Sequence, residues 1–515
     1  MAEIVVRRTP WVAASRVAAR RVAAPLVTAV VFCTAVAARI VPLLRGGGLQ
    51  GYGPYDDSVY FASSVGWLHG RWPYRDFLVL QPPGIVVALA PYAFLDRWIG
   101  DAGGLAVARV GWILFGGLTA AGLVALLWRT SRSAALVAGL FYAVSWPAAM
   151  VERVTDLEGP QNFLLVVALL LLRPFGPERA SLRSRRTAAL AAGIALGLAW
   201  SVKIWELAPI VVLAGWLAVR SGRREVGWFS GGALGAVSAV CLPFFVVAPR
   251  QMFRMVVLDQ LNRPWHAGWA KRLVDITGTT HVLPPHRFSL GLIIVLLAMA
   301  IALALAAGRP GGRVIVMLYL AQLAVLLQSP PIYVHYGAFV APAMAIVIGV
   351  AVSEVIQLLR GAGSVAVVRV GQSLVAITVA AVLVDMAHAP ATLTIGYPAP
   401  TGRLDALTDT VHGCISYDEP SQALALNVVS QDLARGCPFV VDLGAASHWT
   451  HLKHEVNGRP SQAEMVALHY LRGAKASLLY RYRIGHSAAH AVNIIGGWSL
   501  LAENGGLRLV KPHAH

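Results

Sequence analysis

Long apolar runs separated by short polar stretches fill the chain from about residue 22 to residue 387. A membrane-spanning helix needs about 20 such residues. The runs predict spans at roughly 22–44, 106–128, 133–151, 161–173, 187–201, 206–219, 226–248, 288–307, 313–328, 338–359 and 366–387, about eleven transmembrane helices. One further stretch, Gly84 to Ile99, is apolar but short. After residue 389 the pattern changes to brief mixed pieces. CPFVVDLG and ASLLYRY read as strands, and SQALALNVVSQDLA reads as helix. The expected organisation is a transmembrane domain over 1–389 and a small α/β domain over 390–515.

Composition supports the membrane reading. Hydrophobic residues make up 57% of the 515 and charged residues only 13%, with a mean hydropathy of +0.63. Soluble domains carry about 25% charged residues. The formal charge of +18 is therefore not read as a nucleic-acid footprint, and no nucleic-acid partner is expected. Its arginines cluster in loops, where they fix orientation against the membrane lipids. If 84–99 does not cross, Arg129/Arg132, Arg173–Arg186, Arg220–Arg224, Arg309/Arg313 and Arg360 all fall on the N-terminal, cytoplasmic side. Gly84–Ile99 is then a helix lying at the outer interface, inside a first outer loop of about 45–105. The basic N-terminus with Val22 to Leu44 reads as a retained span. The protein is expected in the plasma membrane, with the N-terminus cytoplasmic and the C-terminal domain outside. Arg-rich and Ala-rich usage suggests a GC-rich bacterial genome. In the outer compartment Cys414 and Cys437 are expected to form a disulfide. Cys33 and Cys241 lie in spans and read as packing residues.

Thr187 to Val219 has arginines at both ends, so both ends belong on one side. It reads as a hairpin of two short helices whose tip, SVKIWELAP, stays at membrane depth. Lys203 and Glu206 there must line a polar cavity or pair with each other. The outer loops then collect the unusual polar residues. Asp56, Asp57, Arg75 and Asp76 lie in the first, and Asp156 and Glu158 in the second. The fourth loop carries Arg250, Arg254, Arg263, Lys271 and Arg272, and the fifth His335 and Tyr336. Carboxylates and cations converging on one face suit transfer of a group from an anionic lipid. Asp56 and Asp57 follow Pro54, so one of them can serve chemistry while the other caps a helix. Asp156-x-Glu158 has the form of a metal pair, and Asp57, Asp156 and Glu158 are the candidate ligands of a Mg²⁺ or Mn²⁺ ion. His448, His451 and His454 read as surface histidines. A transporter or flippase of lipid-linked sugars is the competing class, but it would place ionisable residues near the midplane in two related halves.

YDDSVYFASSVGWLHGRWPYRDFLVLQPPG, then VERVTDLEGPQ, SVKIWELAP and YVHYGAF, together resemble the GT-C superfamily over most of residues 20–390. More narrowly they resemble polyprenyl- or dolichyl-phosphate-sugar-dependent glycosyltransferases of the protein mannosyltransferase and aminoarabinose transferase type. The resemblance implies an inverting transferase that moves a monosaccharide from a polyprenyl-phosphate sugar donor to a glycan, glycolipid or protein acceptor of the cell envelope. Mannose and arabinofuranose both fit. It makes Asp56 or Asp57 the base, with Asp56 preferred, and gives Asp156 and Glu158 to acceptor or metal. Lys203 is assigned to the carrier phosphate. The family's lysine before Pro-Pro is Gln81 here, which leaves Arg75 or Arg263, with His335 and Tyr336, to complete the phosphate contacts.

Overall fold

The structure is a computed structural model that describes residues 10–177, 181–265, 267–285, 287–361, 365–392, 403–443, 462–480, 489–504 and 506–513. His448, His451 and His454 lie outside the described residues.

The first helix, α1 (Pro10–Arg45), leads into the first loop, where α2 (Tyr55–Leu68) begins directly after Pro54 with Asp56 and Asp57 in its first turn. Acids there oppose the positive end of the helix dipole. The next helix, α3 (Gly84–Ala93), has ten residues and is about 15 Å long, too short to cross. α4 (Asp96–Leu127) starts ten residues earlier than the expected span because Gly100, at φ 71°, joins a short leading turn to the long helix. The expected span at 133–151 is broken at Ser145 into α5 (Arg132–Val144) and α6 (Trp146–Val151). Pro147 provides the break, since it has no N–H for the Ala143 carbonyl and its ring would clash with that carbonyl in a continuous helix. α7 (Glu158–Leu172) follows.

The short hairpin is α8 (Leu182–Val202) and α9 (Leu207–Arg220), joined by an extended Lys203 and a 3₁₀ turn over Ile204–Glu206. α10 (Arg223–Val247) packs along α8 at very close range. A Cβ on Gly193 would fall 2.0 Å from the Phe229 carbonyl oxygen, and one on Gly197 2.2 Å from that of Ala233. These glycines, four apart, let the two backbones meet. Beyond α10 come α11 (Pro249–Phe253), a π-helical turn, α12 (Asp259–Leu261) and α13 (Trp269–Thr277). The last membrane helices are α14 (Leu290–Ala307), α15 (Pro310–Gln328), α16 (Ala341–Gly361) and α17 (Val365–Thr392). Among the described residues seven helices are long and apolar enough to cross, and three shorter ones are apolar. The protein is multi-pass. The expected eleven spans exceed the seven that length and composition support.

The C-terminal region starts with α18 (Arg403–Thr410). The stretch expected as one helix is two, α19 (Pro420–Ala425) and α20 (Val428–Ala434), split by a left-handed Asn427 at φ 56°. A four-stranded sheet has the order β1-β2-β4-β3, formed by β1 (Ile415–Tyr417), β2 (Ala476–Leu479), β3 (Ser499–Asn504) and β4 (Leu507–Lys511). β1 and β2 are parallel, and the other pairs antiparallel. Residues 437–440, expected as a strand, join no ladder. They run as a connector, with Cys437 bonded to Cys414 at a Cα separation of 5.6 Å.

This region shares a core with the first loop. Phe61, Val65, Ile85, Leu89 and Leu105 belong to one buried cluster with Ile415, Leu424, Val429, Leu478 and Leu509. The Phe77 and Phe439 rings meet at 5.1 Å. Asn427 accepts from Ala102 N at 3.1 Å, and Asp101 accepts from Ser430 N at 3.0 Å.

Candidate active site

The acid pair at the start of α2 divides into two unlike environments, because adjacent helical residues point about 100° apart. Asp57 is fully buried. Its Oδ1 accepts from the backbone N and the hydroxyl of Thr155, both at 2.7 Å. Its Oδ2 accepts from Arg109 Nη2 at 2.5 Å and Nε at 3.1 Å. Arg109 in turn donates through Nη1 to the carbonyls of Leu49 and Gly51. Both oxygens of Asp57 are committed, and its charge is matched by Arg109. The expectation that Asp57 is catalytic, or a metal ligand, is corrected: it is a brace between the first loop, the second loop and α4.

Asp56 turns the other way and is half-buried. Burial pushes its carboxyl above the ordinary carboxylate range. Four groups then act on it: His335 lowers it, Asp442 raises it, Arg263 lowers it and Glu158 raises it. Asp56 is thus partly accessible while its charged form is poorly solvated.

The second loop and the hairpin tip bring further charged groups to Asp56. Glu158 opens α7 and accepts from Lys203 Nζ at 2.6 Å. Lys203 is held there because its extended backbone ends α8. Its ammonium also lies 3.8 Å from the centre of the Trp205 ring and 4.5 Å from that of Tyr336. The Lys203–Glu206 pairing is not formed; the partner is Glu158. Asp156 is 6% exposed. Its carboxyl is driven up by burial and by Glu158 and Asp56, against Lys203. Trp112 Nε1 donates to its carbonyl at 2.6 Å. One turn beyond Glu158, on the same face of α7, Gln161 is fully buried. Neither polar atom of its amide, nor Oε2 of Glu158, has a hydrogen-bond partner.

His335 and Tyr336 sit on a 3₁₀ turn, Val334–Phe339. The imidazole stacks on Tyr333 at 5.6 Å and meets Tyr336 edge-on at 4.8 Å. Burial lowers its proton affinity, opposed by Glu158 and Asp56 and reinforced by Lys203. Of the basic fourth loop, only Arg263 acts on Asp56 and Tyr336. Arg272 is fully buried and donates to the carbonyls of Ala267, Ser329 and Pro330. Arg254 pairs with Asp259, and Lys271 with Asp275. Arg75 is also corrected: its guanidinium pairs with Asp76 at 2.8 Å and is half exposed, so it stands apart from this group.

Among the described residues no three His, Cys, Asp or Glu side chains are placed to hold a metal ion. With Asp57 spent on Arg109 and Thr155, the Asp57, Asp156 and Glu158 set does not fit a Mg²⁺ or Mn²⁺ site.

Sequence reasoning missed Arg109, Thr155, Gln161, Tyr55 and Asp442. Arg109 had a signal, since it is a lone charge within an apolar run. So is Arg39, which is fully buried and bonds Glu152 of the second loop at 2.5 Å. Asp442 had none.

No family model matches the chain, and no curated protein matches it. Solved structures do. ArnT from Cupriavidus metallidurans bound to undecaprenyl phosphate superposes with a TM-score of 0.60 at 14% identity, over 94% of this chain and 98% of that one. The archaeal oligosaccharyltransferase AglB from Archaeoglobus fulgidus, in complex with an inhibitory peptide and a dolichol-phosphate, gives 0.58 at 12% identity, over 95% of this chain and 74% of that one. Both are GT-C glycosyltransferases. The chain has the GT-C fold.

Proposed function

We propose that the protein is an inverting glycosyltransferase. It takes a monosaccharide from a polyprenyl-phosphate carrier and passes it to a hydroxyl of a cell-envelope glycan, glycolipid or protein on the outer face of the plasma membrane. The observation that carries this reading is Asp56, an accessible carboxylate of raised proton affinity facing Arg263, His335 and the Lys203–Glu158 pair. The fold supports it, since polyprenyl and dolichol phosphates are bound in ArnT and AglB.

The acceptor oxygen attacks the anomeric carbon as the bond from that carbon to the phosphate oxygen breaks. A hydroxyl is a poor nucleophile, so its proton passes to Asp56 as the new bond forms. The electron pair of the broken bond leaves with the carrier phosphate. Phosphate is a good leaving group and needs no carboxylic acid to protonate it; fixed cations suffice. Arg263 makes no hydrogen bond or ion pair with another described residue and is the first candidate, with Lys203 behind it. Burial lowers the proton affinity of His335, which favours its offering the phosphate a hydrogen bond. The buried, unpartnered polar atoms of Gln161 and Glu158 Oε2 would suit sugar hydroxyls. One displacement at one centre inverts its configuration.

The test is Asp56→Asn in membranes supplied with decaprenyl-phosphate mannose or decaprenyl-phosphate arabinose. Transfer should fall about 100-fold or more, with donor binding retained. Full transfer in that variant would end the base assignment. A transporter would show carrier movement without new glycosidic bonds.

A further inference from the structure

Among the described residues the C-terminal region reaches the site through a short connector, residues 437–442, and that connector is clamped along its length. Cys437 is tied to Cys414 by the disulfide. Arg71 Nη2 lies 3.4 Å from the Cys437 carbonyl oxygen. Phe439 packs edge-on against Phe77 at 5.1 Å. It also fills the space over Gly66, where an added Cβ would lie 2.4 Å from its ring. At the far end Tyr55 donates its hydroxyl to Asp442 Oδ1 at 2.7 Å. Tyr55 is the first residue of α2 and the immediate neighbour of Asp56. Tyr52 and Tyr480 meet at 5.8 Å beside the same seam.

We propose that Asp442 is a positioning residue for Asp56: tethered to Tyr55, its carboxylate fixes the first turn of α2 and supplies the negative charge against which the base works. The C-terminal region is thereby part of the catalytic unit. Asp442 does not touch the reacting atoms. It acts through the helix turn and through its charge, which raises the proton affinity of Asp56. The other groups facing Asp56 come from every neighbouring element. Arg263 comes from the fourth loop, His335 and Tyr336 from the 3₁₀ turn, Asp156 and Glu158 from the second loop and α7, and Tyr60 from α2 itself. Among the described residues, Asp442 is the one that the C-terminal region delivers.

The proposal rests on Asp56 being the base, and the two can be tested apart. The full chain in lipid nanodiscs would be titrated by infrared spectroscopy, following the carboxyl band that Asp56→Asn removes. Asp442→Asn deletes one nearby negative charge and should lower the Asp56 midpoint by about one pH unit. Asp442→Glu keeps the charge and should restore it. An unchanged midpoint in Asp442→Asn overturns the proposal, as does an equal shift in Asp442→Glu, which would mark a packing effect. The titration needs no substrate. If Asp56→Asn kept full transfer with decaprenyl-phosphate mannose or arabinose while the midpoints moved as expected, the base reading alone would fail.

Discussion

Two neighbouring aspartates have opposite physical roles, and stability should separate them as cleanly as activity. A carboxyl whose proton affinity is raised by folding costs stability as pH climbs from its unfolded to its folded value, because the native state binds the proton more tightly. Asp56 is such a group. Asp56→Asn should therefore abolish transfer while raising the midpoint of thermal unfolding in detergent at neutral pH. Asp57→Asn should keep the base but lower the midpoint, since it leaves Arg109 buried without its charge partner. The expected loss is about 3–5 kcal/mol, read as a lowered unfolding midpoint. Asp57→Asn combined with Arg109→Gln should lose less than the sum of the two single variants. The pH dependence has a definite sign: transfer is present above the Asp56 proton affinity and lost as pH falls through it. The acid limb of a rate profile should lie above the pH where an exposed carboxyl titrates. The sequence placed an acid at this loop and a lysine at the hairpin tip, both from the cost of charge near hydrocarbon. It preferred Asp56 to Asp57 on slight grounds, because the difference is made by Arg109 and Thr155, 52 and 98 residues away from Asp57.

Among the elements, the hairpin of α8 and α9 shows what apolar patterning can and cannot reveal. Its turn at Lys203 was visible from flanking arginines and short length. The tight seam between α8 and α10 was not, because glycines look the same whether they face lipid or another backbone. Gly193→Val would push side-chain atoms into the Phe229 carbonyl, 2.0 Å from the ideal Cβ position. It should separate α8 from α10 and shift Lys203 away from Glu158. The expected readouts are a lowered unfolding midpoint and a weakened apparent affinity for the polyprenyl-phosphate donor, with Gly215→Ala, whose Cβ meets nothing within 4 Å, as the control. The break at Ser145 was likewise hidden in an apolar run, although Pro147 marked the place.

Over the whole molecule, the first loop and the C-terminal region are one packed body rather than an enzyme with an appendage. The cluster that joins Phe61 and Leu89 to Leu424 and Leu509 has no counterpart in the patterning of either part alone. Reduction of Cys414–Cys437, or the double Ala variant, should therefore be felt at the catalytic end. The bond closes a short loop, with a sequence separation of 23, and is worth about 3 kcal/mol. Its loss should lower transfer together with the unfolding midpoint, measured with and without reductant.

The hydrogen bond from Tyr55 to Asp442 joins residues 387 apart in sequence. At ribosomal rates that interval takes about 20–80 s to synthesise. During that time α2 can already have formed in the first loop, but without the partner that ties its first turn to the C-terminal region. On the roles proposed for Asp56 and Asp442, a chain truncated before residue 442 should bind carrier lipid without transferring the sugar.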